Sequence, residues 1–303
     1  MRSCPRIAGP TLIVLLMLKT LLLLLASASA PVVQAVEPEW LPFHWGMGSV
    51  AGGPPERLGL LLPVTVNGVA CTVQLDTGAN GEWNWRRGGP AATDMRAEIA
   101  VAGRRRAIPA SAANLVQLQQ PDCGGAPIAI VGNALFDMGS LTLDLGKSRY
   151  AWTPAALLAG ARNAEPLLYL SWAEGGGHVV VEVTRAGAAG LSYALLDTGA
   201  ARFGVVATTA AEWRALTGSA ALPVPDQTSM RFPGHNGEDV VCTEIALAGG
   251  LEVGGKRLAP RAAYCSGHSF KAPVQLAGTV GMAALGNRTV VLDYLSRRWM
   301  LSD

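Results

Sequence analysis

The phrase Asp-Thr-Gly-Ala occurs twice in this chain of 303 residues, each time directly after a short apolar run. The first copy covers residues 76–79 and the second covers residues 197–200. One copy alone is typical of a turn, because Asp and Gly favour turns. Two copies in the same setting indicate an internal duplication. We therefore expect two related halves.

Other features recur in the same order in both halves. Apolar runs on either side of Asn67-Gly68 predict a hairpin that leads to Asp76. The strands predicted over residues 179–183 and 192–196 lead in the same way to Asp197. Residues 99–105 align with residues 251–257, and residues 130–152 align without a gap with residues 279–301. This common order supports the duplication.

The composition favours a β-rich fold of two domains. Glycine and proline are frequent, at 36 and 19 residues, and the apolar runs are short and broken by turn residues, as in mostly-β proteins. The length allows two cores. We expect an irregular leader over 36–57, a first lobe over 58–153, a linker or short helix within 154–170 and a second lobe over 171–303. A helix is also expected over 207–217, followed by a long loop over 218–240.

Residues 1–35 have the pattern of a secretory signal peptide. Arg2 and Arg6 precede an apolar stretch over residues 12–25, and Val33-Gln34-Ala35 fits a cleavage site. A retained anchor is the alternative, although Lys19 interrupts a run that is already shorter than the roughly 20 residues needed to span a bilayer. We expect a secreted or periplasmic protein with no stable membrane insertion after removal of the signal.

The charge pattern argues against nucleic-acid binding. Without residues 1–35, 21 basic residues stand against 22 acidic ones. The basic clusters Arg86-Arg87 and Arg104-Arg105-Arg106 are too short to follow a phosphate backbone. We expect both to be solvated loop or hairpin tips.

Four cysteines remain after the signal peptide: Cys71, Cys123, Cys242 and Cys265. An even number in an exported chain predicts two disulfides, with three possible connectivities. Pairing within each half, Cys71 with Cys123 and Cys242 with Cys265, is the most economical. A metal site at Cys265 and His268 is the alternative, but the other histidines lack ligand spacing. We therefore expect no metal.

The duplicated phrases resemble those of the aspartic peptidases of the pepsin and retropepsin superfamily. The resemblance covers nearly all of residues 58–303 and implies a two-lobed, pepsin-like fold of two retropepsin-like β-barrel lobes. It also implies that Asp76 and Asp197 are catalytic. Gly132 and Gly281, each after an apolar pair, resemble the glycines that support the two active-site loops in this superfamily.

The resemblance assigns supporting roles to the rest of the two phrases: Thr77, Gly78, Ala79, Thr198, Gly199 and Ala200. It implies that the threonine hydroxyls hydrogen-bond across the two halves. The glycines leave room for close backbone approach, and their N–H groups can donate to the carboxylates. The alanines replace the serine or threonine of many pepsins and remove one hydrogen bond to each carboxylate. Since such bonds lower a carboxyl pKa, we expect a pH optimum less acidic than that of pepsin.

Two further residues are candidates for the cleft. Trp83 lies at the position of a first-lobe tryptophan in pepsin-like enzymes, although a tryptophan is more often part of a core. The expected flap carries no tyrosine, and the hairpin around Gly103 is the candidate for a glycine-tipped flap. Asp144 and Asp293, which are equivalent in the alignment, are expected to be structural residues at strand ends.

The chemistry expected of this arrangement is hydrolysis without a cofactor. Two adjacent carboxyl groups share one proton, so that one acts as base and the other as acid toward a water and a peptide carbonyl. The sequence predicts a monomeric, exported aspartic endopeptidase that binds extended peptides by strand addition. The alternative is a catalytically silent peptide-binding protein with the same fold.

Overall fold

A computed structural model of the chain describes residues 38–49, 53–88, 95–173, 175–185, 192–233, 239–258, 260–266 and 274–303. The expected signal peptide and His268 lie outside these ranges. Within the described residues, no helix has both the length and the apolar character needed to cross a membrane.

The described residues are mostly β, which confirms the predicted fold class. The strands of the first half are β1 (Leu41–Pro42), β2 (His44–Gly48), β3 (Glu56–Val66), β4 (Val69–Leu75), β5 (Asn84–Trp85), β6 (Met95–Val101), β7 (Arg104–Ala110), β8 (Ala129–Val131), β9 (Ser140–Asp144) and β10 (Arg149–Thr153). Those that follow are β11 (Glu165–Ser171), β12 (Gly177–Arg185), β13 (Ser192–Asp197), β14 (Val205–Ala207), β15 (Met230–Pro233), β16 (Asp239–Ala246), β17 (Leu251–Val253), β18 (Lys256–Leu258), β19 (Arg261–Ser266), β20 (Gly278–Gly281), β21 (Thr289–Asp293) and β22 (Arg298–Ser302). The α-helices are α1 (Ala112–Leu115), α2 (Ala210–Thr217) and α3 (Met282–Leu285), and 3-10 turns cover Val116–Gln119, Pro121–Gly124 and Asn133–Leu135.

The strands form two sheets. One has the order β5-β8-β4-β3-β6-β7, with β2 paired to β3. The other runs β1-β10-β9-β21-β22-β11-β12-β13-β20-β14-β19-β16-β15, with β17 and β18 attached through β12. The second sheet therefore contains strands from both halves of the chain.

The β3–β4 hairpin forms as the sequence predicts. Its turn residues Asn67 and Gly68 have φ angles of 49° and 82°, the left-handed pair that a tight two-residue hairpin turn requires. Side chains on one face of the hairpin are buried at every second position: Leu60, Leu62, Val64, Val66, Cys71, Val73 and Leu75. The alternating pattern thus fixes the strand register, since a slip of one residue would expose this face.

The closing segments of the two halves have the same architecture. In each, a strand (β8 or β20) leads into a short helical turn and then into an antiparallel pair, β9–β10 or β21–β22. β9 pairs with β21, so that Thr289 faces Asp144 and Asp293 faces Ser140. The two equivalent segments therefore join the halves through a continuous set of backbone hydrogen bonds, and one apolar core contains residues from both.

The leader is more regular than the sequence suggests. Residues 36–57 were expected to be irregular because of their glycines and prolines, but β1 pairs with β10, and β2 pairs with β3 across a bulge at Gly46/Met47. Phe43 between the two strands is almost fully buried. The bulge accommodates the glycine-rich sequence in a strand, so composition alone was a poor guide here.

The expected linker contains a strand. β11 occupies the end of residues 154–170 and pairs with both β12 and β22. Leu167 is buried, while Leu168 on the opposite face is partly exposed. This segment is stabilised by β12, the next strand along the chain, and by β22, which lies far away in sequence and which no local pattern reveals.

The second half differs from the prediction in its middle. The expected helix over 207–217 begins later, because Ala207 belongs to β14 and Thr209 caps α2 by accepting a hydrogen bond from the N–H of Glu212 at 3.1 Å. The N–H of Thr209 in turn donates to Oε2 of Glu212 at 3.2 Å, which completes a capping box. The expected loop over 218–240 contains β15.

Both expected disulfides are present. Cys71 is joined to Cys123, and Cys242 to Cys265. The second pair links directly opposite residues of β16 and β19. Cys265 is therefore bonded to sulfur, which removes it from the alternative metal site.

Asp293 provides a test of this architecture. Its buried carboxylate accepts hydrogen bonds from the N–H groups of Leu158 at 2.7 Å, Leu295 at 3.1 Å and Ser296 at 3.0 Å. Asp293→Ala leaves these buried donors without a partner, so we expect a loss of about 2–4 kcal/mol in the free energy of unfolding, measured by urea denaturation.

Asp226 is the matched control, because it accepts similar local hydrogen bonds from Thr228 in an exposed turn. Asp226→Ala should cost clearly less than Asp293→Ala, since water replaces the lost bonds. Equal losses in the two variants would contradict the role assigned to Asp293.

Candidate active site

Each half delivers its aspartate at the end of a strand that lies beside a second, parallel strand. β4 pairs with β8, so that Leu75 faces Val131, and β13 pairs with β20, so that Asp197 faces Gly281. The N–H of Asp76 donates to the carbonyl of Val131 at 2.9 Å. The apolar runs therefore fix the backbone from which both carboxyl groups project.

Two threonines join the loops through reciprocal hydrogen bonds. The N–H of Thr77 donates to Oγ1 of Thr198 at 2.9 Å, and the N–H of Thr198 donates to Oγ1 of Thr77 at 3.0 Å. Each hydroxyl then donates to a carbonyl of the opposite half, Thr77 to Leu196 at 2.6 Å and Thr198 to Leu75 at 2.9 Å. Both side chains are almost fully buried, so this network holds the two loops in a single arrangement.

The structure brings the carboxyl groups of Asp76 and Asp197 into hydrogen-bond contact. The N–H of Gly78 donates to Oδ1 of Asp76 at 2.8 Å, and the N–H of Gly199 donates to Oδ1 of Asp197 at 2.7 Å. Asp197 also accepts from the N–H of Ala200 at 3.2 Å. The two loops thus present similar donors, with one more on the side of Asp197.

Only glycine fits beside the carboxyl groups. A Cβ on Gly78 would lie 2.6–2.8 Å from the carboxyl atoms of Asp197, and a Cβ on Gly199 would lie 2.6–2.7 Å from those of Asp76. Gly132 and Gly281 are equally confined. A Cβ on Gly132 would overlap the carbonyls of Ala79 and Gly81, and a Cβ on Gly281 those of Ala200 and Phe203. These four glycines let the backbones pack around the acid pair.

The environment of the pair disfavours two negative charges. Burial, together with the charge and hydrogen bond of Asp197, raises the pKa of Asp76 to about 8. Burial also raises the pKa of Asp197, partly opposed by hydrogen bonds from Asp76 and from the N–H groups of Gly199 and Ala200. A doubly ionised pair is therefore disfavoured.

A cavity of about 420 Å³ opens onto the two carboxyl groups. Much of its wall is apolar and comes from both halves: Ile130, Leu195, Phe203, Val206 and Val240. Asn84 and Thr208 add polar groups to the rim. Its size and mixed lining are those of a small-molecule or peptide side-chain pocket.

Two expected cleft residues lie elsewhere. Trp83 packs edge-on against Trp85, with ring centroids 5.2 Å apart, and neither it nor Gly103 lines this cavity. Gly103 is instead at the tip of the β6–β7 hairpin, beside Leu41 and Tyr150. β6 pairs with β3 next to this tip. The role of this hairpin as a flap stays a prediction.

Sequence analysis missed His178 on β12. Its side chain is almost fully buried, hydrogen-bonds the backbone of Gly78 and packs edge-on against Trp172 at 5.8 Å. Burial lowers the pKa of His178, while the Gly78 hydrogen bond and the charge of Asp76 oppose that shift. A histidine after three glycines offered no recognisable signal, because only the fold brings it next to the first loop.

Asn133 was also missed. It follows Val131-Gly132 and is fully buried against the first loop. The signal was present in the repeat, since the equivalent position of the second half is the apolar residue Met282. A polar residue at one of two equivalent buried positions has to find hydrogen-bond partners.

No cluster of three or more potential metal ligands occurs among the described residues.

Comparison with known proteins finds similarity at the level of solved structures. No protein-family model matches the chain, and no curated protein matches its sequence. An aspartic proteinase from Irpex lacteus, solved by crystallography, is similar over 87% of this chain and 96% of its own, with 12% sequence identity and a TM-score of 0.45.

The raised pKa of Asp76 predicts a pH-dependent effect of Asp76→Asn on stability. An unfolded aspartate has a pKa of about 3.9, and folding raises it to about 8. As pH rises between these values, the unfolded chain ionises while the folded chain keeps its proton, so the wild type loses stability. Asparagine does not ionise. We therefore expect Asp76→Asn to be more stable than wild type at neutral pH by roughly 2 kcal/mol or more, and equally stable near about pH 3.

Urea denaturation across this pH range measures the effect. Asp303→Asn is the control, since Asp303 is an exposed carboxylate that pairs with Lys256 and Arg288, and these hydrogen bonds lower its pKa. It should show no gain at neutral pH. A difference between Asp76→Asn and wild type that does not grow with pH would contradict the assignment.

Proposed function

We propose that this chain is an exported aspartic endopeptidase that hydrolyses peptide bonds with Asp76 and Asp197. One observation carries the proposal: two buried carboxyl groups lie in mutual hydrogen-bond contact beside an open cavity, in surroundings that raise the pKa of both. Burial of two adjacent carboxyl groups lowers the stability of the fold. Carboxyl groups with a perturbed pKa in a cleft are typical of acid–base catalysis.

The proposed reaction uses both protonation states of the pair. The ionised aspartate takes a proton from a water, whose oxygen attacks the peptide carbonyl carbon, and the protonated aspartate donates to the carbonyl oxygen. The resulting gem-diol returns a hydroxyl proton to the ionised aspartate. The protonated aspartate donates its proton to the nitrogen, and the C–N bond breaks. The products are a carboxyl group and an amine, and the pair again holds one proton.

The remaining parts of the proposal concern substrate and setting. The cavity lies beside strands, and an extended peptide can bind there by backbone hydrogen bonds with side chains in the apolar pocket. One chain supplies both aspartates, so a monomer is sufficient. Two disulfides and the signal-like pattern of residues 1–35 support export to an oxidising compartment.

Digestion of a mixed peptide library from about pH 3 to about pH 7, read by mass spectrometry, tests the activity. We expect cleavage by the mature wild type and a loss in kcat/KM of at least about a thousandfold in Asp76→Asn and in Asp197→Asn. Asp226→Asn, at an exposed turn, is the control and should cleave like wild type.

Cleavage that persists in both dyad variants would reject the assignment. Binding of peptides without cleavage by any variant would instead favour a silent peptide-binding protein.

The alanines after the two glycines predict the pH dependence. Ala79 and Ala200 line the cavity with methyl groups where a hydroxyl could donate to a carboxylate. We expect a kcat/KM profile with an optimum less acidic than that of pepsin. We also expect Ala79→Ser or Ala200→Ser to move the acidic limb down by up to about one pH unit, because a donor to the charged form lowers a carboxyl pKa.

A wild-type profile that peaks near about pH 2 would contradict this explanation. An Ala70→Ser variant, at a strand position outside the cavity lining, controls for the added hydroxyl.

A further inference from the structure

The side chain of Asn133 makes four hydrogen bonds that join the two halves of the chain. Its Nδ2 donates to the carbonyls of Thr77 at 2.7 Å, Ala79 at 3.2 Å and Gly177 at 2.9 Å. Its Oδ1 accepts from the hydroxyl of Tyr294 at 2.8 Å. Asn133 has no exposed surface, so these bonds do not compete with water.

Two of these contacts fix the turn that carries the first catalytic aspartate. Thr77 and Ala79 flank Gly78, whose N–H donates to Oδ1 of Asp76. The backbone N–H of Asn133 also donates to the carbonyl of Ala79, at 3.1 Å. Asn133 therefore determines the position of the peptide unit that holds the carboxyl group of Asp76.

The other two contacts belong to the second half. Gly177 begins β12, and the next residue, His178, hydrogen-bonds the backbone of Gly78. Tyr294 directly follows β21, and its side chain is buried with its ring edge-on to Tyr169 at 5.6 Å. Asn133 thus connects the first loop to two fixed points of the half that carries Asp197.

The second loop has no equivalent contact from this position. Met282 occupies the place of Asn133 in the aligned closing segments, and its thioether has no N–H to donate. The second loop instead gives Asp197 a second backbone donor, the N–H of Ala200. The strands that carry the two loops are nonetheless equivalent, since β9–β10 and β21–β22 recur at the same spacing.

We propose that Asn133 is a positioning residue that holds the carboxyl group of Asp76 at the distance from Asp197 needed to share a proton. The inference rests on the proposed peptidase function. Without the carboxamide, the carbonyls of Thr77 and Gly177 and the hydroxyl of Tyr294 lose this partner. The first loop then shifts relative to the second half, and the two carboxyl groups become less strongly coupled.

Asn133→Ala and Tyr294→Phe test the inference. Tyr294→Phe removes only the hydroxyl that orients Asn133, so it remains informative if Asn133→Ala does not fold. We expect kcat to fall about 10- to 100-fold in Asn133→Ala with little change in KM, because small displacements of catalytic groups are costly, and a smaller fall in the same direction in Tyr294→Phe. The pH profile of kcat should narrow or shift in both variants, because weaker coupling brings the two carboxyl pKa values closer to each other.

Asn114→Ala is the matched control. Asn114 is another fully buried asparagine of the first half, and its Nδ2 donates to the carbonyl of Arg87 at 2.7 Å. It lies in α1, outside the two loops and the cavity lining. Its loss should lower stability but leave the pH profile unchanged and kcat within about twofold of wild type.

A second measurement does not depend on cleavage. Titration of the aspartate side-chain carbons by NMR, with the signals assigned through Asp76→Asn and Asp197→Asn, reports the carboxyl pKa values directly. A change in the pair titration in Asn133→Ala and Tyr294→Phe, absent in Asn114→Ala, supports the inference. An unchanged titration in both folded variants overturns it, as does an equal change in the control.

The two proposals fail in different ways. A wild type that cleaves no peptide rejects the proposed peptidase function, and the NMR titration then decides whether Asn133 still positions the pair. A wild type that cleaves, with variants whose pH profile and titration match wild type, rejects the role of Asn133 alone.

Discussion

The reciprocal hydrogen bonds between Thr77 and Thr198 are the contact on which the rest of the site depends. Two carboxyl groups resist being buried side by side, because each disfavours the ionisation of the other and both lose hydration. The threonine network offsets this cost with fully buried, fully satisfied neutral hydrogen bonds between the loops. Glycines make that geometry sterically possible, because Gly78 and Gly199 lie against the carboxyl groups, and two further glycines, Gly132 and Gly281, lie against loop carbonyls. The acid pair is thus a consequence of how two strand-and-loop units meet.

The duplication explains why the same strands recur in both halves. Differences between the halves explain why the two loops have different surroundings. β8–β10 and β20–β22 recur with identical spacing and pair at the centre through β9 and β21. Their side chains differ where they touch the loops, as Asn133 and Met282 do. Asp197 also accepts one more backbone hydrogen bond than Asp76. The two carboxyl groups therefore have different surroundings, although the strands that carry them are equivalent.

The sequence predicted those parts of the structure that depend on local patterns. The β3–β4 hairpin was recognised from Asn67-Gly68 and alternating apolar residues, and the loop aspartates from their repeated phrase. The strands β1 and β11 were missed, because partners distant in sequence stabilise them. β2 was missed because glycines suggested irregular structure, although it pairs with the nearby β3. The direction of the hairpin tip at Gly103 depends on the pairing of β6 with β3, and a local pattern does not specify it. His178 and Asn133 share this limitation, since their contacts exist only after the two halves have packed together.

Because the two halves belong to one chain, Asn133 can occur beside one loop without an equivalent beside the other. In a dimer of identical halves, every residue occurs at both equivalent positions, so an asparagine beside one loop also lies beside the other. Here the side chain of Asn133 donates to the carbonyl of Gly177 and accepts from the hydroxyl of Tyr294. The equivalent position of the second half holds a methionine, which needs no polar partner. A buried carboxamide without hydrogen-bond partners lowers the stability of the fold. Methionine at the second position avoids this loss. The asymmetry of the acid pair thus follows from independent variation of two positions that were once equivalent.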